Sequence, residues 1–115
     1  MSRRSLSRTL ARRRAHAPVF AALGDETRLR LVAKLAGGEP RSIAQLTKGE
    51  RLSRQAITKH LRLLEKVKIV HSTRAGRESR FQLDPQPIED AREYLDLVSA
   101  EWDLALARLK AFVEG

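Results

Sequence analysis

The sequence predicts a mainly α-helical domain that carries one small β-hairpin. Three observations lead there. Apolar residues recur at helical spacing through most of the chain, residues 69–83 switch to alternation around a Gly-containing turn, and a heptad pattern runs through the C-terminal region. Two of the helices are short and separated by a tight turn. With the hairpin behind them they form a winged helix-turn-helix, whose terminal helices are expected to build a dimer interface.

The elements follow in order. Phe20 and Leu23 belong to a first helix after Pro18. Asp25 is placed to cap a second, with Glu26 in its first turn, Leu29, Val32, Ala33 and Ala36 on one face, and Gly37-Gly38 as its stop. Ser42 caps a short helix in "SIAQLTKG", Ile43 and Leu46 point inward, and Gly49 breaks it. Ser53 then caps the helix in "RLSRQAITKHLRLLEK".

That last helix has two distinct sides. At 100° per residue Ile57, His60, Leu61 and Leu64 share the stripe of a helix packed on a core, which makes His60 a packed, hydrogen-bonded residue. Arg54, Gln55, Thr58, Lys59 and Arg62 gather on the other side. Cations, an amide and a hydroxyl are the groups that bind phosphates and base edges, and the only acid of the helix, Glu65, lies a turn further on.

In "KIVHSTRAGRESRFQL" the period becomes two, with a turn at Ala75-Gly76-Arg77-Glu78 and Arg74, Arg77 and Arg80 at or near the tip. A basic wing tip suits the narrow, negative minor groove of duplex DNA. Pro85 and Pro87 end the hairpin. From about Ile88 to Val113 a long helix carries Ile88, Ala91, Leu95, Val98, Trp102, Ala105, Leu109 and Phe112 in an a/d heptad, while Tyr94, Leu97, Leu104, Leu106 and Val113 lie off that seam. A helix apolar on more than one side has more than one side to bury. The expected dimer contacts are Leu95, Val98, Trp102, Leu109 and Phe112.

Composition agrees. The 115 residues suffice for one domain and carry a formal charge of +9, which favours a polyanionic partner. The distribution is uneven: residues 1–14 hold six Arg and no acid, residues 51–80 hold nine Lys/Arg and two Glu, and residues 84–115 hold three Lys/Arg and eight Asp/Glu. Residues 1–17 read as a basic, flexible arm and 18–115 as the DNA-binding and dimerisation domain. The chain has no Cys, which removes disulfides and thiolate metal sites and fits a cytoplasmic protein. No apolar run approaches membrane-spanning length, so no membrane partner is expected. No nucleophile elbow or Gly-rich phosphate loop is present, so catalysis and a cofactor are not expected.

With "ALGDETRLRLV" at 22–32, "LSRQAITKHLRLLE" at 52–65 and "GRESRFQL" at 76–83, residues 18–115 resemble the ArsR-type winged-helix transcriptional repressors. The resemblance implies a homodimer that binds an inverted repeat in double-stranded operator DNA and leaves it when an inducer, small molecule or protein, binds. It also implies that Ser53, Arg54, Gln55, Thr58, Lys59 and Arg62 form the major-groove helix and Arg74, Arg77 and Arg80 the wing contacts. Three departures stand out. Metal-sensing members carry two cysteines where this chain has Ser42 and Ala44, and residues 88–115 contain no His for the other metal site of the family, so no metal is expected. Lys68 stands where the family places Gly after the recognition helix. An architectural nucleic-acid binder of the same fold is the alternative reading.

Overall fold

The computed structural model describes residues 3–115, with side chains for residue 8 and residues 11–115. In chain order the elements are α1 (Arg3–Leu23), α2 (Glu26–Leu35), β1 (Arg41–Ser42), α3 (Ile43–Thr47), α4 (Arg54–Lys66), β2 (Val70–Ala75), β3 (Glu78–Leu83) and α5 (Gln86–Glu114). A mainly helical chain with a small antiparallel sheet is the fold class expected.

The residues that begin and end each helix explain the first half of the fold. Asp25 has extended backbone and its carboxylate accepts from the Arg28 amide at 3.0 Å, capping α2. The Arg28 side chain turns back on α1, where Nε donates to the Ala22 carbonyl at 2.6 Å. The "D-x-T-R" piece is therefore a joint in which Asp25 starts one helix and Arg28 closes the other. Arg28 Nη1 also lies 3.2 Å from His60 Nδ1, a bond that a neutral imidazole protonated on Nε2 accepts. His60 is half-buried and hydrogen-bonded, as its place at the edge of the apolar stripe suggests.

Two expectations need adjusting. The boundary expected at residue 17 is not an interruption, because α1 runs through it with Pro18 inside. The Arg, Leu and Ala residues before Pro18 are good helix formers, and they carry the helix through a proline that removes one backbone donor and crowds the carbonyl one turn earlier. On α2 the inward face holds Leu31 and Leu35, both fully buried, while Leu29 is exposed. The sequence offers two apolar faces there, and the one with two leucines one turn apart buries more area than the alanine-rich one.

α3 begins at a capping box: Ser42 Oγ accepts from the Gln45 amide, and Gln45 Oε1 accepts from the Ser42 amide. The turn into α4 is fastened from α2. The Glu50 side chain, 4% exposed, pairs with Arg30 at 3.1 Å and Lys34 at 3.3 Å, and Lys34 Nζ also donates to the carbonyls of Leu46 and Lys48. Those hydrogen bonds, first that from Arg30, hold the Glu50 carboxyl below its ordinary pKa.

α4 ends in a left-handed turn at Lys68, φ +66°. The Lys68 amide donates to the Glu65 carbonyl at 2.9 Å and the Ile69 amide to the Leu64 carbonyl at 3.0 Å, the bond pair of a Schellman motif, with Leu64 and Ile69 both buried beside it. The geometry that Gly serves elsewhere is thus kept with a lysine, at a cost of about 1 kcal/mol.

The sheet order is β1-β3-β2, all antiparallel. β1, unforeseen in the sequence, pairs Arg41 with Phe81 and Ser42 with Arg80. In the hairpin Ala75 pairs with Glu78, and Gly76, first of the two turn residues, has φ +66°, which a type II′ turn requires. The core gathers Leu31, Leu35, Leu46, Ile57, Leu61, Leu64, Ile69, Val70 and Phe81. Only the first part of α5 meets this unit: Ala91 is buried, and Tyr94 stacks on His16 with ring centres 5.1 Å apart. From Ser99 onward every residue of α5 is exposed.

Candidate nucleic-acid interface

α4 buries Ile57, Leu61 and Leu64 completely, which turns its other side outward. Ser53 ends up at the N-cap, where its hydroxyl oxygen accepts from the Ala56 amide at 3.2 Å. Arg54, Gln55, Thr58, Lys59 and Arg62 line one shallow surface groove together with Ile43 of α3. All five expected side chains of the helix are therefore on one continuous surface. Thr58 donates its hydroxyl hydrogen to the Arg54 carbonyl at 2.7 Å, which leaves its oxygen with acceptor capacity.

Arg62 differs from the other four. Its Nη1 lies 2.8 Å from Glu65 Oε1, and its guanidinium carbon sits 5.3 Å from the centre of the Phe81 ring. It is anchored between α4 and the sheet rather than extended from the helix. Glu65 also accepts from the amide and the hydroxyl of Ser72 on β2. The Ser72 hydroxyl, then Arg62, hold the Glu65 carboxyl below its ordinary pKa. This junction was missed in the sequence, although an acid within a basic stretch was the available signal.

The wing arginines are all exposed. Strand register separates two of them. Arg74 pairs with Ser79 and shares a face with Ser72 and Phe81, whereas Arg80 pairs with Thr73 and points to the opposite face. Arg77 occupies the second turn position. Arg80 Nε contacts Glu78 at 3.3 Å, so part of its charge is locally balanced. A hairpin with one cation on each face and one at its tip can address both walls of a groove.

The expected dimer residues lie on a different part of the surface. Leu95 is 51% exposed, Trp102 63%, Leu109 59% and Phe112 84%, and Val98 is half-buried. Among the described residues no helix is long and apolar enough to cross a membrane, and no group of three or more His, Asp or Glu is arranged to hold a metal ion.

A helix-turn-helix domain family matches residues 23–73, from the end of α1 into β2. The chain is 36% identical over 75 residues to the HTH-type transcriptional regulator Rv2034 of Mycobacterium tuberculosis, a match that covers 65% of this chain and 69% of that regulator. An ArsR-like transcriptional regulator from Rhodococcus sp. RHA1 superposes with a TM-score of 0.73 at 38% identity, over 85% of this chain and 92% of that one. A possible transcriptional regulator for arsenical resistance gives 0.63 at 33% identity, over 79% and 91%. With its two short capped helices, basic hairpin and these relatives, the chain belongs to the ArsR-type winged helix-turn-helix transcriptional regulators, which act through a DNA-binding domain and not as enzymes.

Proposed function

We propose that the protein is a homodimeric repressor that binds an inverted repeat in double-stranded operator DNA. The observation that carries this reading is the groove face of α4: a helix whose apolar side is wholly buried presents Arg54, Gln55, Thr58 and Lys59 together on its outer side. Gln55 and Thr58 carry the groups that read base edges, while Arg54 and Lys59 supply phosphate contact. Ser53 holds the helix start in place. Arg62 and the wing residues Arg74, Arg77 and Arg80 complete the surface, with Arg77 entering a minor groove and the other two wing arginines on its opposite phosphate walls.

The exposed apolar residues of α5 supply the second half of the proposal. Leu95, Val98, Trp102, Leu109 and Phe112 join two copies and so set two recognition helices at the spacing of two half-sites. The Arg-rich residues 1–17 add attraction to phosphate without sequence preference. A chromosomal target places the protein in the cytoplasm. An inducer, if the protein has one beyond autoregulation, is a small molecule or a protein and not a soft metal, since the chain has no thiolate.

The test is a competition experiment with the full chain at about 0.15 M salt. A duplex from its own upstream region should bind at least ~10³-fold more tightly than random duplex of the same length. Equal affinity for the two would favour the architectural alternative.

A further inference from the structure

An acid on a DNA-reading surface is electrostatically unfavourable, because it faces phosphates. Glu65 is the only acid between residues 51 and 77, and it lies one turn beyond the groove face of α4. Its carboxylate is hydrogen-bonded within the protein through both oxygens. Oε2 accepts from the Ser72 amide at 3.2 Å and from the Ser72 hydroxyl at 2.5 Å, and Oε1 accepts from Arg62 Nη1 at 2.8 Å. Arg62 Nη1 is in turn 3.4 Å from Ser72 Oγ, and the guanidinium covers the buried Phe81 ring. Four side chains from α4, β2 and β3 thus close one cluster at the root of the wing.

We infer that Glu65 is a positioning residue that sets the angle between the recognition helix and the wing, so that both readers fit one half-site. This rests on the proposed operator-binding function. The Schellman turn fixes the start of β2, but its last bond is at Ile69. The Glu65–Ser72 contacts hold the strand three residues further on, where its direction is decided. From Ser72 to Gly76 the wing extends four residues, about 13 Å at the rise of a β-strand. A 10° change in direction at Ser72 then moves the tip by about 2 Å, a third of the ~6 Å width of a minor groove. The cluster also makes Arg62 part of the support rather than a free reader of bases. Phosphate contact remains open to its outer edge, since half of its side chain is exposed.

Glu65→Gln separates this inference from simple electrostatics by the sign of its effect. Removing an acid from a basic surface strengthens binding to every duplex. Removing the positioning contact weakens binding to the operator alone, because Arg62 and Ser72 use different carboxylate oxygens and an amide replaces one of those oxygens with an NH₂ set against the donor there. The full chain would be titrated with its upstream duplex and with random duplex. The expected result is at least a tenfold loss on the upstream duplex with equal or tighter binding to random DNA. Ser72→Ala keeps every charge and should give a smaller loss in the same direction, which keeps the test intact if Glu65→Gln does not fold. Arg77→Ala in the Ser72→Ala background should cost less than in the unaltered chain, since a misdirected wing has already lost that contact. Full additivity of Ser72→Ala and Arg77→Ala, or tighter binding of Glu65→Gln to both duplexes, overturns the inference. A failure of the unaltered chain to prefer its upstream duplex would be a different result, and would remove the operator-binding proposal itself.

Discussion

α4 and α5 are both amphipathic by sequence, yet the fold uses them in opposite ways. α4 buries Ile57, Leu61 and Leu64 completely, leaves a single large apolar residue, Leu63, partly exposed, and turns polar side chains outward. α5 buries only Ala91 and leaves Leu95, Trp102, Leu109 and Phe112 exposed. A polar face left over on a helix needs no partner to be soluble, so its composition reflects what it binds. An apolar face left over is unfavourable in water, and α5 carries one over much of its ~43 Å length. The core of the winged unit is therefore complete without α5 beyond Val98, and the remainder of α5 is left with its apolar face in solvent in the single chain.

The largest effects should divide along that line. Leu61→Ala opens a cavity in the core and is expected to cost ~2–5 kcal/mol in denaturant unfolding at any protein concentration. Trp102→Ala should leave unfolding of dilute, monomeric protein within about 0.5 kcal/mol, because the residue is exposed in the single chain, while shifting sedimentation from dimer toward monomer. Equal losses of stability for both in dilute protein would erase the distinction between the two helices.

Next in size are the side chains on the outer face of α4. Alanine at Gln55 or Thr58 should cost ~1–3 kcal/mol on the upstream duplex and less on random DNA, as read by fluorescence anisotropy. Arg74→Ala and Arg80→Ala should instead weaken both duplexes and lower the slope of log affinity against log salt by about one unit each. If Gln55→Ala lowers the salt slope and spares discrimination, the face binds phosphate only.

The winged unit is also tied together by carboxylates, which α5 beyond Val98 is not. Asp25, Glu50 and Glu65 are all held below their ordinary values of 3.8, 4.5 and 4.5 by hydrogen bonds, from the Arg28 amide, from Arg30 and from Ser72 respectively. A depressed folded value means that the stabilisation is present above the unfolded value and is lost as pH falls through the folded one. Melting temperature should therefore be level from pH 7 to about 5 and decline below about 4.5. A decline already between pH 7 and 6 would assign the dependence to other groups. Glu50→Ala should remove about 1–3 kcal/mol at neutral pH and flatten part of the acid limb.

The smallest expected effect is a gain. Lys68→Gly relieves a side chain held at φ +66°, offset by the extra freedom of glycine when unfolded. A net stabilisation of ~0.5–1 kcal/mol by thermal unfolding is expected, with operator affinity unchanged. A loss of stability would mean that the lysine side chain contributes more than its backbone strain costs.

The parts of the fold legible in the sequence were those governed by local rules. Caps at Asp25, Ser42 and Ser53, the turn at Gly76 and the start of α5 at its prolines depend on neighbours within four residues, and the apolar stripe of α4 has a single period to read. What the sequence did not disclose depends on distant partners. α2 offered two apolar faces, and only packing decides between them. β1 is two residues long and exists because β3 is beside it. The residues proposed for recognition could be placed on one face from spacing, but Arg62 could not be distinguished from its neighbours, since its anchors are Glu65, Ser72 and a ring on another strand. The opposite directions of Arg74 and Arg80, by contrast, follow from the pairing of Ala75 with Glu78, which the turn at Gly76 already implies.

In the proposed function the outer face of α4 reads DNA while the exposed face of α5 joins two copies to do so. Sedimentation equilibrium of the full chain mixed with its upstream duplex measures both at once, through the number of chains bound per duplex. Two chains per site bound together are expected, and Trp102→Ala should lower the affinity of that complex at least tenfold while the groove face is unaltered. One chain per site, bound as tightly by Trp102→Ala as by the unaltered protein, would contradict that function.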